Sequence, residues 1–174
     1  SACVYDKLTN WAKEFDPGFF TVLTENPEYT RAVLSIDRDV PKPRKDIAKW
    51  NEAKDYFSYF FDSLYKKDFS IPENILPADA RLFLEKYKEI YDPSDDRQLW
   101  FDKIKAIAPE IGFASETKEY KAEPDKFKGH AGDLSTVLRI AVTGRRNTPD
   151  LCSIMRVLGK ERCISRIDEA LNSL

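Results

Sequence analysis

No run of apolar residues in this 174-residue chain is longer than about three, whereas a helix needs ~20 to cross a bilayer, so no transmembrane segment is expected. Histidine occurs once, at His130, and cysteine three times, at Cys3, Cys152 and Cys163. One imidazole and scattered thiols do not form a ligand cluster, so no metal site is expected. An odd number of cysteines without Cys-x-x-Cys spacing fits a reducing cytoplasm with inert, buried thiols. No nucleophile–base pair stands in a recognisable setting, so no catalytic residue is assigned and a free-standing enzyme is the weakest reading. Gly159-Lys160-Glu161-Arg162 lacks the spacing of a phosphate-binding P-loop and reads as a helix break with a solvated basic turn. The opening Ser1-Ala2-Cys3-Val4-Tyr5-Asp6 has neither the basic nor the apolar region of a secretory signal, so none is expected.

What is present is a globular composition, 42% hydrophobic and 33% charged, with a net charge of −2. That balance excludes both a disordered chain and a general nucleic-acid coat. Cations nevertheless collect near the C-terminus. From Arg139 to Arg166 seven cations (Arg139, Arg145, Arg146, Arg156, Lys160, Arg162, Arg166) face two anions, a local excess of +5. An acidic body with one basic region suits the reading of a single phosphate-bearing site.

The hydrophobic pattern is helical nearly throughout, and no stretch alternates with period two for long enough to make a strand, so the fold class is all-α. Val4, Leu8, Trp11 and Ala12 share one helical face. Asp16-Pro17 and Asn26-Pro27 each read as an N-cap followed by a first-turn proline. After the break at Pro41-Lys42-Pro43-Arg44-Lys45-Asp46, Ile47, Trp50, Ala53, Phe57, Phe60, Phe61 and Leu64 predict one long buried helix. Residues 68–77 hold two prolines and little periodicity, and the junction between two subdomains, 1–70 and 71–174, is placed there. Helices are expected from Ala78 to Tyr91 and from Pro93 to Ile111. A polar connection follows, and then a helix capped by Asp133 and closed by Gly144. Two short helices, Pro149–Leu158 and Lys160–Leu171, finish the chain.

Arg139 lies between Val137-Leu138 and Ile140-Ala141-Val142, and a guanidinium among apolar neighbours is costly unless paired or facing a groove. An ion pair with a core carboxylate and a fork aimed at a base edge or phosphate are equally open at this level. Arg145 and Arg146 follow the Gly144 cap, where the helix dipole alone favours cations by ~0.3–1 kcal/mol; only their clustering with Arg139 suggests phosphate. Thr148-Pro149-Asp150-Leu151 reads as a helix start with Thr148 as N-cap and Pro149 as first-turn residue, a geometry that can also present backbone donors to a base or phosphate. The cations of residues 42–46 and the aromatic residues behind them read first as a solvated loop and a core. His130 reads as a loop residue, and Asp95-Asp96 and Asp37/Asp39 read as solvated surface.

Residues Arg139 to Leu151, reinforced by Leu158-Gly159-Lys160-Glu161-Arg162, resemble the closing segment of bacterial-type glutamyl-tRNA synthetases. Pro41–Trp50, Lys118–Lys121 and Lys128–Asp133 resemble the same family, and the similarity covers almost the whole chain. The resemblance implies two packed helical subdomains, a helical cage, that read the anticodon loop. It implies that Arg139, Thr148, Pro149 and Leu151 line an anticodon-base pocket, with Lys105 as a further basic contact and Arg44 as the candidate for discriminating the first anticodon base. Cys152 stands where the family often has an aromatic residue, so no stacking contact is assigned there. The catalytic motifs of such an enzyme, its Rossmann ATP site included, are missing from the sequence. ATP and Mg²⁺ are therefore expected only in a missing catalytic domain of a parent that joins glutamate to tRNA. The implied partner is tRNA-Glu, with tRNA-Gln as a second candidate, and neither DNA nor membrane is expected. A cytoplasmic monomer is expected. The competing reading is a helical protein–protein module whose basic residues are only surface.

Overall fold

The structure, a computed structural model, describes residues 2–38 and 47–174. It holds ten α-helices and no strand among those residues, with one isolated bridge between Ala114 and His130. The all-α expectation is met. The chain divides into two compact units, Ser1–Lys66 and Lys67–Leu174.

In the first unit, α1 (Ala2–Phe15) packs on α2 (Pro17–Glu25) and α3 (Pro27–Ser35). Both predicted caps form. The Asp16 carboxylate accepts from the Phe19 N–H at 3.0 Å, and the Asn26 side chain accepts from the Tyr29 N–H at 3.1 Å. Leu8, Ala12, Phe19, Leu23, Val33 and Leu34 are fully buried.

The long helix predicted from Ile47 to Leu64 does not form. Helix α4 covers only Trp50–Tyr56, a 3₁₀ turn follows at Ser58–Phe60, and Phe61 is extended. Five consecutive residues, Phe57 to Phe61, are buried. A surface helix buries one stripe, so it cannot hide five neighbours in sequence, and aromatic side chains lose rotamer freedom in a helix. Leaving the helix lets the whole run face inward.

In the second unit, α5 (Pro77–Ile90), α6 (Arg97–Glu110) and α10 (Lys160–Ser173) surround α8 (Ala131–Thr143). Along α8, Leu134, Val137, Leu138, Ile140, Ala141 and Val142 are buried, so this is the central helix. Helix α7 (Thr117–Ala122) lies in the polar connection, and α9 (Leu151–Leu158) precedes α10.

Three helix starts differ from the sequence reading by more than one residue. Helix α6 starts four residues later than Pro93, with Asp96 capping it by accepting from the Leu99 N–H at 2.8 Å. Helix α8 starts before Asp133, because His130 is its N-cap: Nδ1 accepts from the Gly132 N–H at 3.0 Å, while Asp133 accepts from the His130 N–H at 2.9 Å. Pairing between residues 112–114 and 128–131 sets that earlier start, through Lys128 N–H to Gly112 O, Ala114 N–H to Gly129 O and Ala131 N–H to Ala114 O, each at 2.9 Å. His130 is thus a cap rather than a loop residue. Helix α9 starts at Leu151, and Asp150, not Thr148, caps it by accepting from the Ser153 N–H at 3.0 Å. Pro149 therefore lies outside the helix.

Two polar expectations also change. Asp95 is buried rather than solvated, paired with Lys103, while its backbone carbonyl accepts from Arg156 at 2.9 Å. Cys152 and Cys163 are buried as expected, but Cys3 is exposed. Burial pushes the Cys163 thiol up to about 12 and raises Cys152 as well.

Candidate nucleic-acid interface

Gly144 closes α8 in the left-handed conformation, φ 68°, with its N–H on the Ile140 carbonyl at 2.8 Å. A positive φ is free of steric cost only at glycine, so this position can end the helix sharply and turn the chain back. The Thr143 hydroxyl steadies the exit by donating to the Arg139 carbonyl at 2.7 Å and accepting from the Arg145 N–H at 3.1 Å. Residues 145–150 then fold back beside α8 and bring Thr148 and Pro149 to Arg139.

Arg139 holds that turn. Its Nη1 donates to the Pro149 carbonyl at 2.9 Å and to the Thr148 hydroxyl, with the Thr148 carbonyl at 3.4 Å. These oxygen acceptors stabilise a cation that would be costly among the apolar residues of α8. Arg139 is half-buried and lines a cleft of about 490 Å³, so it is not sealed in the core.

Helix α6 supplies one wall of the cleft through Arg97, Gln98, Trp100 and Phe101; α8 supplies Ser135 and Arg139, and the start of α9 supplies Asp150 and Leu151. Across it, Arg97 Nε lies 3.1 Å from Asp150 Oδ1. The other carboxylate oxygen, Oδ2, accepts from the Ser153 N–H at 3.0 Å and hydroxyl at 2.7 Å. The cleft therefore joins the half-buried Phe101 ring, with the buried Trp100 ring stacked 6.3 Å from it, to planar guanidinium groups. Aromatic faces stack any base, and guanidinium forks suit base edges and phosphates.

Of the residues singled out in the sequence, Arg139, Thr148, Pro149 and Leu151 come together here: Arg139 grips Thr148 and Pro149, and Leu151 shares the cleft with it. Lys105 stands one turn along α6 from Phe101, with its Nζ 5.2 Å from that ring centroid, and is paired to Glu116 at 2.7 Å. Glu116 hydrogen-bonded to Lys105 raises its pKa. Arg146 is exposed and turned to the Ser70 and Ile71 carbonyls, each at 3.4 Å. Arg145 is half-buried behind the Gly144 turn. Arg44 lies outside the described residues.

The predicted basic region is not one surface. Arg166 is buried, 3% exposed, and donates to the Val142 carbonyl at 2.8 Å, capping the C-terminal end of α8 from inside. Arg156 is spent on Asp95 O, and Arg162 reaches back to Leu158 O at 3.5 Å. A charge count along the sequence cannot separate arginines that cap helices from arginines that face solvent. The sequence reading also missed the α6 side of the cleft. Asp150 was visible only as part of a helix start, and nothing in the local pattern marks Arg97.

Residues 5–171 match the family described as "Anticodon binding domain". The chain is 39% identical over 168 residues to a glutamate–tRNA ligase of Clostridium perfringens, covering 94% of the chain and 31% of that protein. It is 40% identical over 168 residues to one from Acetivibrio thermocellus, covering 97% and 31%. With the ligase of Sorangium cellulosum it shares 40% over 166 residues, covering 94% and 29%. The chain thus spans about a third of the length of these curated relatives.

Proposed function

Because the chain belongs to the anticodon-binding domain family, we propose that it binds the anticodon loop of tRNA-Glu as part of a glutamate–tRNA ligase. The single observation that carries this reading is the Arg139 cleft, where a guanidinium, held by Thr148 and Pro149, stands beside Trp100, Phe101 and Leu151. Anticodon bases are unpaired, so they can be splayed out, stacked on aromatic rings and read on their edges by such forks. Phosphate contacts position the loop without reading sequence. The similarity to proteins called glutamate–tRNA ligases supports glutamate as the amino acid of the whole enzyme; tRNA-Gln is the second candidate partner.

The ligation itself belongs to a part outside this chain, together with ATP and Mg²⁺. We assign those groups no residue of this chain, because its sequence carries no catalytic motif of such a ligase and Gly159-Lys160 lacks the glycine cradle of a phosphate loop. No step of the reaction is assigned to this chain. No helix among the described residues is long and apolar enough to cross a membrane. A monomer working in the cytoplasm is the setting we propose.

Titration of the chain with tRNA-Glu, and with transcripts changed at one anticodon base at a time, tests the reading. A saturable complex that weakens with salt and discriminates among the anticodon variants is expected. Absence of such a complex overturns it and favours the protein–protein module.

A further inference from the structure

Arg97 is the first residue of α6, and its side chain is 79% exposed at the mouth of the Arg139 cleft. Its Nε lies 3.1 Å from Asp150 Oδ1, and most of the side chain stays open to solvent. Asp150 has no freedom to leave. Its side chain is 11% exposed, and Oδ2 holds the Ser153 N–H and hydroxyl at the start of α9. The cleft therefore carries a fixed carboxylate, set by the need to cap the helix that presents Leu151. A carboxylate so placed repels a nucleic-acid backbone unless a cation stands in front of it.

We propose that Arg97 is the phosphate-binding arm of this cleft and the screen between the RNA backbone and Asp150, an inference that rests on the tRNA-binding reading above. The Nε contact with Asp150 orders the arm in advance, and the outer edge of the guanidinium is left to meet a phosphate oxygen. Arg139 is committed to the Thr148–Pro149 turn inside the cleft, so the two guanidiniums divide the work. The inner one faces the base and the outer one holds the backbone.

Binding of a tRNA-Glu transcript and its anticodon variants across a salt series, with the whole chain as wild type, Arg97→Ala and Arg97→Ala/Asp150→Asn, tests this. Asparagine still caps a helix, so the double variant removes the charge and keeps α9. Arg97→Ala is expected to weaken binding about tenfold, equally for every anticodon. It is also expected to reduce the slope of log K against log salt by about 0.7–1, one phosphate contact. The double variant is expected to recover part of the affinity because the negative charge that had faced Arg97 is gone. A wild-type complex whose affinity and salt slope survive Arg97→Ala overturns the inference alone, as does a loss that depends on the anticodon base. A double variant no better than Arg97→Ala overturns the screening role. A wild type that forms no complex overturns the inference together with the tRNA-binding reading.

Discussion

Arg139 Nη1 donates to the Pro149 carbonyl at 2.9 Å, ten residues further along the chain, and so ties the central helix to the turn that precedes α9. The same nitrogen meets the Thr148 hydroxyl. One side chain thereby fixes the turn and faces the cleft, so structure and recognition meet in a single guanidinium.

Replacing Arg139 with alanine should lower tRNA affinity by ~1–3 kcal/mol, unevenly across anticodon variants, as expected for a base-reading contact. Lysine at this position keeps the charge and one nitrogen for the Thr148 and Pro149 oxygens but lacks the planar fork that meets a base edge, so it should rescue little of the anticodon discrimination. Titration at one fixed salt concentration measures both. An equal loss for every anticodon would assign Arg139 to the backbone instead.

The Arg166 guanidinium donates to the last-turn carbonyl of Val142 from a buried position. Arg166→Met fills a similar volume but leaves that carbonyl without its donor, at a cost of about 1–3 kcal/mol. Thermal unfolding should show the Tm falling by several degrees. Unchanged stability would mean that solvent replaces the lost bond and that Arg166 is not a structural cap.

The sequence conveyed the helical class because its period shows wherever a helix buries one stripe, as in α1 and α5. It misled where burial is not striped. From Phe57 to Phe61 a helical spacing coexists with burial of every residue, and the chain resolves the conflict with a 3₁₀ turn. Caps written by local chemistry, Asp16-Pro17 and Asn26-Pro27, were legible. The caps at His130 and Asp150 were not, because contacts made by residues distant in the chain decide where α8 begins and how the turn before α9 lies. The α8–α9 half of the cleft was readable from Arg139 to Leu151. The α6 half, with Arg97 and Trp100, joins it only in the fold.

Asp16 accepts from Lys54 Nζ at 2.9 Å and from the Phe19 N–H, and these two bonds, the Lys54 one first, hold its carboxyl below the ordinary value. A folded pKa lower than the unfolded one means stability that is complete above about pH 4 and is lost as pH falls through the folded value. Acid titration followed by circular dichroism should therefore show Asp16→Asn shifting the acid transition of the first unit, while retaining the helix cap. An acid profile identical to wild type would show that this carboxylate is not part of the transition.

At the alkaline end the sign reverses. Burial pushes the Cys163 thiol up to about 12 and holds the Tyr87 and Tyr91 phenols above their usual range. Groups whose folded pKa is raised stabilise the fold fully below their unfolded values, ~8.5 for a thiol and ~10 for a phenol, and that stability drains away as pH rises toward the folded values. The urea midpoint should stay level from pH 7 to 8 and then fall between pH ~9 and ~12. Cys163→Ala should remove part of the earliest decline, which Cys163 shares with the buried Cys152, because thiols ionise before phenols in the unfolded chain. The same burial predicts selective chemistry. At neutral pH iodoacetamide should label Cys3, which is exposed, and spare Cys152 and Cys163, which are buried; in urea all three should react, since only the thiolate attacks and unfolding restores an ordinary pKa. Mass spectrometry of the native and unfolded protein decides it, and prompt native labelling at Cys163 would mean that the core around Tyr91 opens far more readily than its packing implies.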